Sequence, residues 1–188
     1  KIIYQENLAG FHYLLQAMQE ILQNCPEAHI KVAGISVLGV NGIKSRIKIS
    51  AYGKYLRRLI LKNRLEGKVR VLGNLSAEEM KREYLSAQIF VCPSAVENSP
   101  NSVAEGQLLG VPVAASRTGG IPDVVKDGVS GLLFEKGNVH ELAACVSRIL
   151  TDKQLAKELS ASERETAAKL YNGENNYQKL IEIYQNIE

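Results

Sequence analysis

The amino-acid sequence predicts an α/β fold: a Rossmann-like, doubly wound parallel sheet with helices on both faces. Short apolar runs that stop at Gly or Pro alternate with amphipathic segments along the 188 residues, and this alternation is typical of β-α-β units. Strands joined by such crossovers pair in parallel. Because no linker, repeat or low-complexity stretch interrupts the pattern, we expect residues 1–188 to form a single domain.

Each helix is predicted from apolar residues at helical spacing, and each strand from a short apolar run that ends at a turn-forming residue. Ser76 and Glu79 form a capping-box pattern at the start of one helix. The predicted helices are 8–25, 47–64, 76–86, a short helix ending at Gly110, 139–150, 152–170 and 174–187. The predicted strands are 28–33, 69–72, 88–92, 112–115 and 131–134. In such sheets ligands bind beyond the carboxyl ends of the strands, which here are the loops after Ala33, Leu72, Cys92 and Ala115.

Composition excludes several classes of protein. An apolar fraction of 45% with 23% charged residues is that of a globular domain and not of a disordered chain. No apolar run reaches the roughly 18–20 residues of a membrane-spanning helix, and the amino end shows no secretory leader pattern. The three cysteines are widely spaced, which favours reduced thiols in the cytoplasm and argues against a zinc site. Neither a dinucleotide fingerprint nor a Walker pattern occurs.

Positive charge is concentrated in one segment. The net charge is only +3, but residues 44–70 carry ten Lys and Arg side chains against a single acid, Glu66. Such a segment suits a phosphorylated ligand, nucleic acid or an anionic membrane surface. A solvated helix face explains the same pattern equally well, so the charge alone selects no partner.

The most informative stretch is 91–134, where a buried strand leads into a polar loop and a short helix. Ser99 is predicted as the N-cap of that helix, with Pro100 at its first position. The amides of Asn101, Ser102 and Val103 would then be open to an anion lying above the sheet.

Two acids in the same stretch suit a sugar ligand. Glu97 precedes the short helix and Glu105 lies within it. Carboxylates beside a bound anion accept hydrogen bonds from hydroxyls, so the pattern indicates a site for a sugar attached to a nucleoside diphosphate. The alternative is structural: Ser102 and Glu105 also form a capping-box pattern, and Glu97 could be a solvated loop acid.

The stretch resembles the donor-binding signature of the retaining glycosyltransferases of family four, which have the two-domain GT-B architecture. The resemblance rests on six elements in order: Pro93-Ser94, Glu97, Glu105, Gly110-Val-Pro112-Val113, Gly119-Gly120-Ile-Pro122 and Gly128-Val-Ser-Gly131-Leu132. The order of helices and strands extends it over the whole chain. It implies that residues 1–188 are the carboxyl-terminal, nucleotide-sugar-binding domain, and that the acceptor-binding domain belongs to a part of the parent enzyme not included in this sequence.

The resemblance also implies a role for each matched position. Glu105 would hold the ribose hydroxyls, and Glu97, the expected catalytic residue, would contact the donor sugar. The segment 99–103 would face the sugar and the pyrophosphate, Gly73, Asn74 and Leu75 would pack the base, and Gly119 and Gly120 would complete the donor site. The implied donor is a nucleotide-diphosphate sugar, UDP- before GDP- or ADP-, with no cofactor or metal. The resemblance further implies transfer of the sugar, with retention, to a glycan or lipid-linked acceptor, as in polysaccharide biosynthesis.

The sequence departs from the family pattern at the pyrophosphate. Ala9 stands where the family has a lysine, and no arginine precedes it. Lys1 or the loop 44–48 would have to compensate, or the donor binds weakly. The separation from an acceptor domain also predicts an exposed face near Phe11, Tyr13 and the helix 171–187.

Two other functions fit parts of the sequence. A nucleotide-sugar epimerase could share the fold, although no additional acid–base set is evident. A non-enzymatic anion- or nucleic-acid-binding module could use the basic segment 44–70, but only Tyr52 and Tyr55 supply aromatics there. We therefore expect no nucleic acid partner. The basic segment could instead hold a cytoplasmic enzyme at the inner face of the membrane.

Overall fold

The computed structural model describes residues 1–5, 10–34, 50–98 and 100–185. Its strands form one six-stranded parallel sheet in the order β3-β2-β1-β4-β5-β6. The strands are β1 Ile2–Gln5, β2 Ile30–Ala33, β3 Val69–Gly73, β4 Ile89–Cys92, β5 Val113–Ser116 and β6 Leu132–Phe134. In the described ranges the helices are α1 Phe11–Asn24, α2 Ala51–Lys62, α3 Ala77–Ser86, α4 Asn101–Leu108, α5 Ile121–Val124, α6 Val139–Thr151, α7 Lys153–Leu170 and α8 Gly173–Gln185.

Helices cover both faces of the sheet, which confirms the predicted fold class. Alternate residues of the strands point into two separate cores. Leu14 of α1, Leu56 of α2 and Leu142 of α6 pack into one core. Met80 of α3 and Val103 of α4 pack into the other. The chain therefore winds first towards β3 and then, from β4 onwards, towards β6, and the direction reverses between β1 and β4.

The sequence reading missed the central strand. The first predicted element is the helix 8–25, whereas the structure has an earlier strand, β1 (Ile2–Gln5). This strand pairs with both β2 and β4 in the middle of the sheet. Ile2 and Ile3 are completely buried. A strand buried on both faces shows no alternation of polar and apolar residues, so the run Ile2–Gln5 lacks the periodicity by which a half-buried strand is predicted.

Most other boundaries shift by one to three residues. The helix predicted at 47–64 is α2, whose cap is Ser50: its side chain accepts a 3.0 Å hydrogen bond from the N–H of Gly53. The positions 47–49 lie outside the described residues. The short helix α5 was not predicted, because it follows two glycines and contains Pro122.

The exposed apolar face lies on α8 and not at Phe11. Phe11 is 3% exposed and its ring stacks on Tyr4 with centroids 4.8 Å apart, so that part of the prediction was wrong. Tyr13 is partly exposed. No residue of α8 is buried, and Tyr177, Leu180, Ile183 and Tyr184 are all among the exposed large apolar residues. Within the described ranges, none of the helices has the length and apolar character needed to cross a bilayer.

Candidate functional site

A cavity of about 580 Å³ opens at the carboxyl ends of β1, β2 and β3, between α3 and α4. Gln5 ends β1 and Gly34 follows β2, and both line it. Asn74 and Leu75, directly after β3, form a second wall. Glu105 of α4 lines the opposite side. The structure thus brings together three of the residues predicted for the site: Asn74 and Leu75 from the loop after β3, and Glu105 from the helix that follows β4.

The wall after β3 is held rigidly by its backbone. Gly73 has a positive φ of 76°, which favours glycine, and its carbonyl accepts a 2.8 Å hydrogen bond from the N–H of Gly34. The predicted capping box follows: Ser76 N–H donates to Glu79 Oε2 at 2.8 Å, and Glu79 N–H donates to Ser76 Oγ at 3.3 Å. The hydrogen bonds from Ser76 lower the pKa of Glu79. Gly73 supports the wall, while Asn74 and Leu75 form its surface.

Helix α4 begins one residue later than predicted. Asn101 is its first residue and Pro100 its N-cap, with no side-chain cap, so Pro100 is not at the first helical position. Ser99, the predicted cap, lies outside the described residues. The Val103 N–H donates to the Pro100 carbonyl at 2.9 Å, so it is not an open donor as expected. The first two amides, of Asn101 and Ser102, have no acceptor within the described part of the chain.

Glu105 reaches the cavity beside a buried tyrosine. Its carboxylate lies near the hydroxyl of Tyr84, a residue of α3 that is only 1% exposed. The same hydroxyl lies 3.1 Å from Gln5 Oε1 and 3.0 Å from the Ser102 carbonyl oxygen. Burial, followed by the nearby charge of Glu105, raises the pKa of Tyr84 well above its ordinary value, so the hydroxyl keeps its proton and acts as a donor.

Glu97 occupies a different position and does not line this cavity. It is half-buried in the loop after β4. The hydroxyl of Ser94, which is fully buried, donates to Glu97 Oε2 at 3.4 Å, and the Asn98 N–H donates to Oε1 at 3.2 Å. The Ser116 hydroxyl in turn donates to the Ser94 carbonyl at 2.7 Å. Glu97 is therefore held by contacts with the ends of β4 and β5, and it is not among the residues that line the cavity.

The predicted glycine pair packs against the Glu97 loop. A Cβ on Gly119, which has a φ of 51°, would lie 1.4 Å from the Glu97 carbonyl oxygen. A Cβ on Gly120 would lie 2.5 Å from the Asn98 carbonyl oxygen, and the Gly120 N–H donates to the Glu97 carbonyl at 3.3 Å. Gly119 and Gly120 thus permit a close backbone approach and do not line the cavity.

Of the candidates to replace the missing lysine, Lys1 is excluded. Lys1 precedes β1 and therefore lies at the amino edge of the sheet. Its backbone nitrogen contacts the side chain of Gln88, the residue immediately before β4. Ala9 and the loop 44–48 lie outside the described residues. Lys81 of α3 does line the cavity. The sequence analysis did not single it out, because nothing in the predicted helix 76–86 distinguishes a lysine beside a cavity from one in solvent.

Tyr84 and Gln5 were missed for a related reason. Tyr84 is spaced from Met80 as a core residue would be, and nothing in the sequence distinguishes a buried tyrosine whose hydroxyl meets a site. Gln5 belongs to the strand that the sequence reading overlooked. No group of three or more His, Cys, Asp or Glu side chains converges as metal ligands would in the part of the chain that the structure describes.

The sheet order and the cavity at its carboxyl edge define an α/β ligand-binding domain of the doubly wound type. Comparison with known protein families identifies it further. The glycosyl transferases group 1 family matches residues 5–166. The chain therefore belongs to the glycosyl transferases of group 1.

Two curated relatives align with different shares of the chain, and in both cases the chain spans less than half of the relative's length. A D-inositol 3-phosphate glycosyltransferase of Corynebacterium urealyticum is 28% identical over 182 residues, which is 97% of this chain and 41% of that protein. The sulfoquinovosyl transferase SQD2 of Arabidopsis thaliana is 33% identical over 100 residues, 52% of this chain and 20% of that protein.

Solved structures share the fold. Anabaena Alr3699/HepE in complex with UDP superimposes with a TM-score of 0.82 at 21% identity, over 99% of this chain and 49% of that one. Sucrose-phosphate synthase from Thermosynechococcus elongatus gives a TM-score of 0.78 at 25% identity, over 98% and 44%.

Proposed function

We propose that this chain is the donor-binding domain of a glycosyltransferase that transfers a sugar from a nucleotide-diphosphate sugar. The observation that carries the proposal is the cavity in which Asn74, Leu75 and Glu105 face one another. A nucleoside needs an apolar slot for its base and an acceptor for its ribose hydroxyls, and these residues supply both. The family to which the chain belongs supports the reaction class.

In this proposal the two acids have separate tasks. Glu105 accepts hydrogen bonds from the ribose hydroxyls, and the loop from Gly73 to Leu75 packs the base. The segment 99–103 lies near the diphosphate and the sugar, with the amides of Asn101 and Ser102 available as donors. Glu97, fixed by Ser94, contacts the donor sugar as the catalytic residue, while Gly119 and Gly120 hold its loop. Stabilisation of the departing diphosphate by amides and cations then provides most of the catalysis, with no metal ion.

We further propose UDP as the nucleotide, before GDP or ADP, and transfer of a hexose with retention, as the resemblance to family four implies. The fold neighbour HepE was solved with UDP, which supports this order of preference. The acceptor would be a glycan or a lipid-linked saccharide in polysaccharide biosynthesis. The epimerase and nucleic-acid alternatives are less well supported: no described residue of 50–70 lines the cavity, and the family match is to transferases.

Calorimetric titration of the chain with UDP, GDP and ADP tests the nucleotide site. We expect one of them to bind, and Glu105→Ala to weaken that binding by about tenfold or more, because a hydrogen bond to a charged group is lost. Glu158→Ala, which removes an exposed helical acid on α7, is the matched control and is expected to bind normally. Absence of binding by all three nucleotides, or equal binding by the Glu105→Ala variant, would contradict the proposal.

We propose that the acceptor-binding half of the enzyme docks on α8. The chain spans 41% of the length of its Corynebacterium relative, and α8 exposes a row of apolar side chains that the described residues leave uncovered. The isolated domain would then bind donor without transferring sugar. Transfer activity measured with this chain alone would contradict this part of the proposal.

A peripheral membrane contact is proposed for α2. Lys54, Arg58 and Lys62 are exposed on one side of it, with Leu61 62% exposed among them. Such a surface suits anionic lipids on the cytoplasmic side of a membrane. Co-sedimentation with phosphatidylglycerol vesicles but not with phosphatidylcholine vesicles is the expected result; salt-sensitive RNA binding instead would contradict it.

A further inference from the structure

Gln5 ends the central strand β1, and within that strand it alone lines the cavity. Its side-chain oxygen lies 3.1 Å from the hydroxyl of Tyr84. The same hydroxyl lies 3.0 Å from the carbonyl oxygen of Ser102, in the first turn of α4. The side chain of Gln5 and the beginning of α4 are therefore close neighbours, because both contact one hydroxyl group.

The contact with Tyr84 determines which end of the Gln5 amide faces a ligand. Burial raises the pKa of Tyr84, so its hydroxyl keeps the one proton that it can donate. Ser102 is the second residue of α4, and its carbonyl is placed to accept the helical N–H of Gly106. The Gln5 oxygen has no other donor in the part of the chain that the structure describes, so the Tyr84 proton satisfies it. The amide nitrogen, with two N–H groups, is then the end that faces the cavity.

The amide of Gln5 is held in place before any ligand binds. Tyr84 is only 1% exposed, and its ring packs edge-on against Phe90 of β4 with centroids 5.4 Å apart. Gln5 is itself half-buried, on a strand that pairs with a neighbour on each side. A side chain that is already fixed loses little conformational entropy when it contacts a ligand. The amide nitrogen is thus a preorganised hydrogen-bond donor.

The order of the strands places Gln5 nearer to the proposed diphosphate position than to the base. Asn74 and Leu75, the proposed wall for the base, follow β3, and β2 separates β3 from β1. On its other side β1 is paired with β4, which leads into α4. The first turn of α4 carries the amides of Asn101 and Ser102, which the proposed function places near the diphosphate. A further N–H donor beside them suits phosphate oxygens, which accept hydrogen bonds strongly.

We infer that Gln5 binds the nucleotide directly, by donating a hydrogen bond from its side-chain amide to a phosphate oxygen. This inference rests on the proposed function, because it requires a nucleotide in the cavity. It adds to that function a recognition residue on β1. Lys81 is the one basic residue among the described residues that line the cavity, so part of the affinity for the diphosphate comes from a neutral group and not from a cation.

Titration of UDP and uridine into the wild-type chain and into Gln5→Met tests this contact. Methionine has a similar length but no hydrogen-bond donor. We expect Gln5→Met to bind UDP about tenfold more weakly, because a hydrogen bond to a charged group is lost, and to bind uridine as the wild type does. The loss should be similar at low and high salt, since screening acts on interactions between charges and Gln5 is neutral.

Gln16→Met is the matched control. Gln16 of α1 also contacts a tyrosine hydroxyl, with 3.3 Å between its amide nitrogen and the oxygen of Tyr55, but it does not line the cavity. The substitution therefore makes the same chemical change at another glutamine–tyrosine pair. We expect Gln16→Met to bind UDP and uridine as the wild type does.

A second variant tests the direction of the hydrogen bond and keeps the test valid if Gln5→Met does not fold. Gln5→Glu preserves the shape of the side chain and still accepts the Tyr84 proton, but it turns a negatively charged oxygen towards the phosphate. We expect UDP to bind about a hundredfold more weakly at low salt, with a smaller loss at high salt, and uridine to be affected much less.

The outcomes separate this inference from the proposed function. If the wild type shows no preference for UDP over uridine, the UDP site proposed above fails, and this inference with it. If the wild type prefers UDP and Gln5→Met binds both ligands equally well, or loses affinity for both in the same proportion, the proposed function stands and the role of Gln5 is overturned. Binding of UDP to Gln5→Glu with the affinity of the wild type would overturn it as well.

Discussion

The two sides of the carboxyl edge of the sheet are built differently. On the side of β4 and β5, backbone packs on backbone: a Cβ on Gly10 would lie 1.9 Å from the Pro93 carbonyl oxygen, and one on Gly119 would lie 1.4 Å from that of Glu97. On the side of β1 to β3 the loops separate and leave a cavity of about 580 Å³ walled by side chains. The first side fixes the position of an acid, and the second leaves room for a ligand.

The difference indicates how substitutions should act. Close backbone contact leaves no space for adjustment, so a change on the β4–β5 side affects folding first. Lys81 and Glu105 line the open cavity with exposed side chains, so a change at either affects binding with little cost in stability. We therefore expect the largest loss of stability on the β4–β5 side, and a smaller effect, limited to ligand binding, on the β1–β3 side.

The largest effect is expected for Gly119→Ala. The new methyl group would overlap the Glu97 carbonyl oxygen, and the φ of 51° adds strain. We expect the free energy of unfolding to fall by at least about 3 kcal/mol, measured by urea denaturation. Gly128→Ala is the matched control: its φ is 74° but nothing lies within 4 Å of the added Cβ, so the cost is about 1 kcal/mol. Equal losses for the two variants would show that the close packing around Glu97 is not a feature of the protein.

These glycines also show what the sequence could and could not predict. Their spacing relative to Glu97 and Glu105 identified the stretch 91–134, because such motifs reflect local turn geometry. The same spacing could not say that Gly119 supports the Glu97 loop while Glu105 faces a separate cavity. That division depends on contacts between segments far apart in sequence, such as Gly10 with Pro93.

The cavity itself was only half predictable. Asn74 and Leu75 follow a strand whose apolar run is evident, so their place at the carboxyl edge follows from the fold class. The position of Gln5 could be predicted only once β1 was recognised as a strand, and the pattern of β1 is that of any short apolar run. The part played by Tyr84 could not be predicted, because helical periodicity indicates only the face of the helix on which a residue lies. It does not indicate where the hydroxyl of a buried tyrosine is placed.

An effect of intermediate size on stability, dependent on pH, is expected at the amino ends of the strands. Glu163 of α7 is fully buried and accepts a 2.9 Å hydrogen bond from the N–H of Val113, the first residue of β5. Its second oxygen has no partner within the described residues. Burial raises the pKa of Glu163 to about 9 from an ordinary value of 4.5, so the folded protein holds a proton that the unfolded chain releases. Stability should therefore fall, by on the order of 1 kcal/mol per pH unit, as the pH rises from about 5 towards 9.

Glu163→Gln removes this dependence, since the amide resembles the protonated acid and cannot ionise. We expect the variant and the wild type to unfold at similar urea concentrations at pH 5, and the variant to be the more stable at pH 8. Glu158→Gln, an exposed acid on the same helix, should follow the wild type at both values. Parallel stability profiles of wild type and Glu163→Gln would mean that Glu163 is ionised in the folded protein.

The smallest effect is expected on the open side, at Lys81. It lines the cavity from the middle of α3, and none of the ion pairs among the described residues involves it. Since the lysine and arginine expected from the family pattern are missing, Lys81 is positioned to contribute charge towards a diphosphate. Lys81→Ala should weaken UDP binding by about threefold to tenfold, consistent with one solvated charge interaction. Stability should stay within about 0.5 kcal/mol of the wild type.

Titration with UDP, UMP and uridine shows which part of the nucleotide Lys81 contacts. If it faces the diphosphate, affinity should fall most for UDP, less for UMP and not at all for uridine, and the loss for UDP should shrink at high salt because screening removes the interaction. Arg82→Ala, one residue further along α3 and outside the cavity lining, should leave all three ligands unaffected. An equal loss for UDP and uridine would instead place Lys81 beside the base, and the charge for the diphosphate would then have to come from another part of the protein.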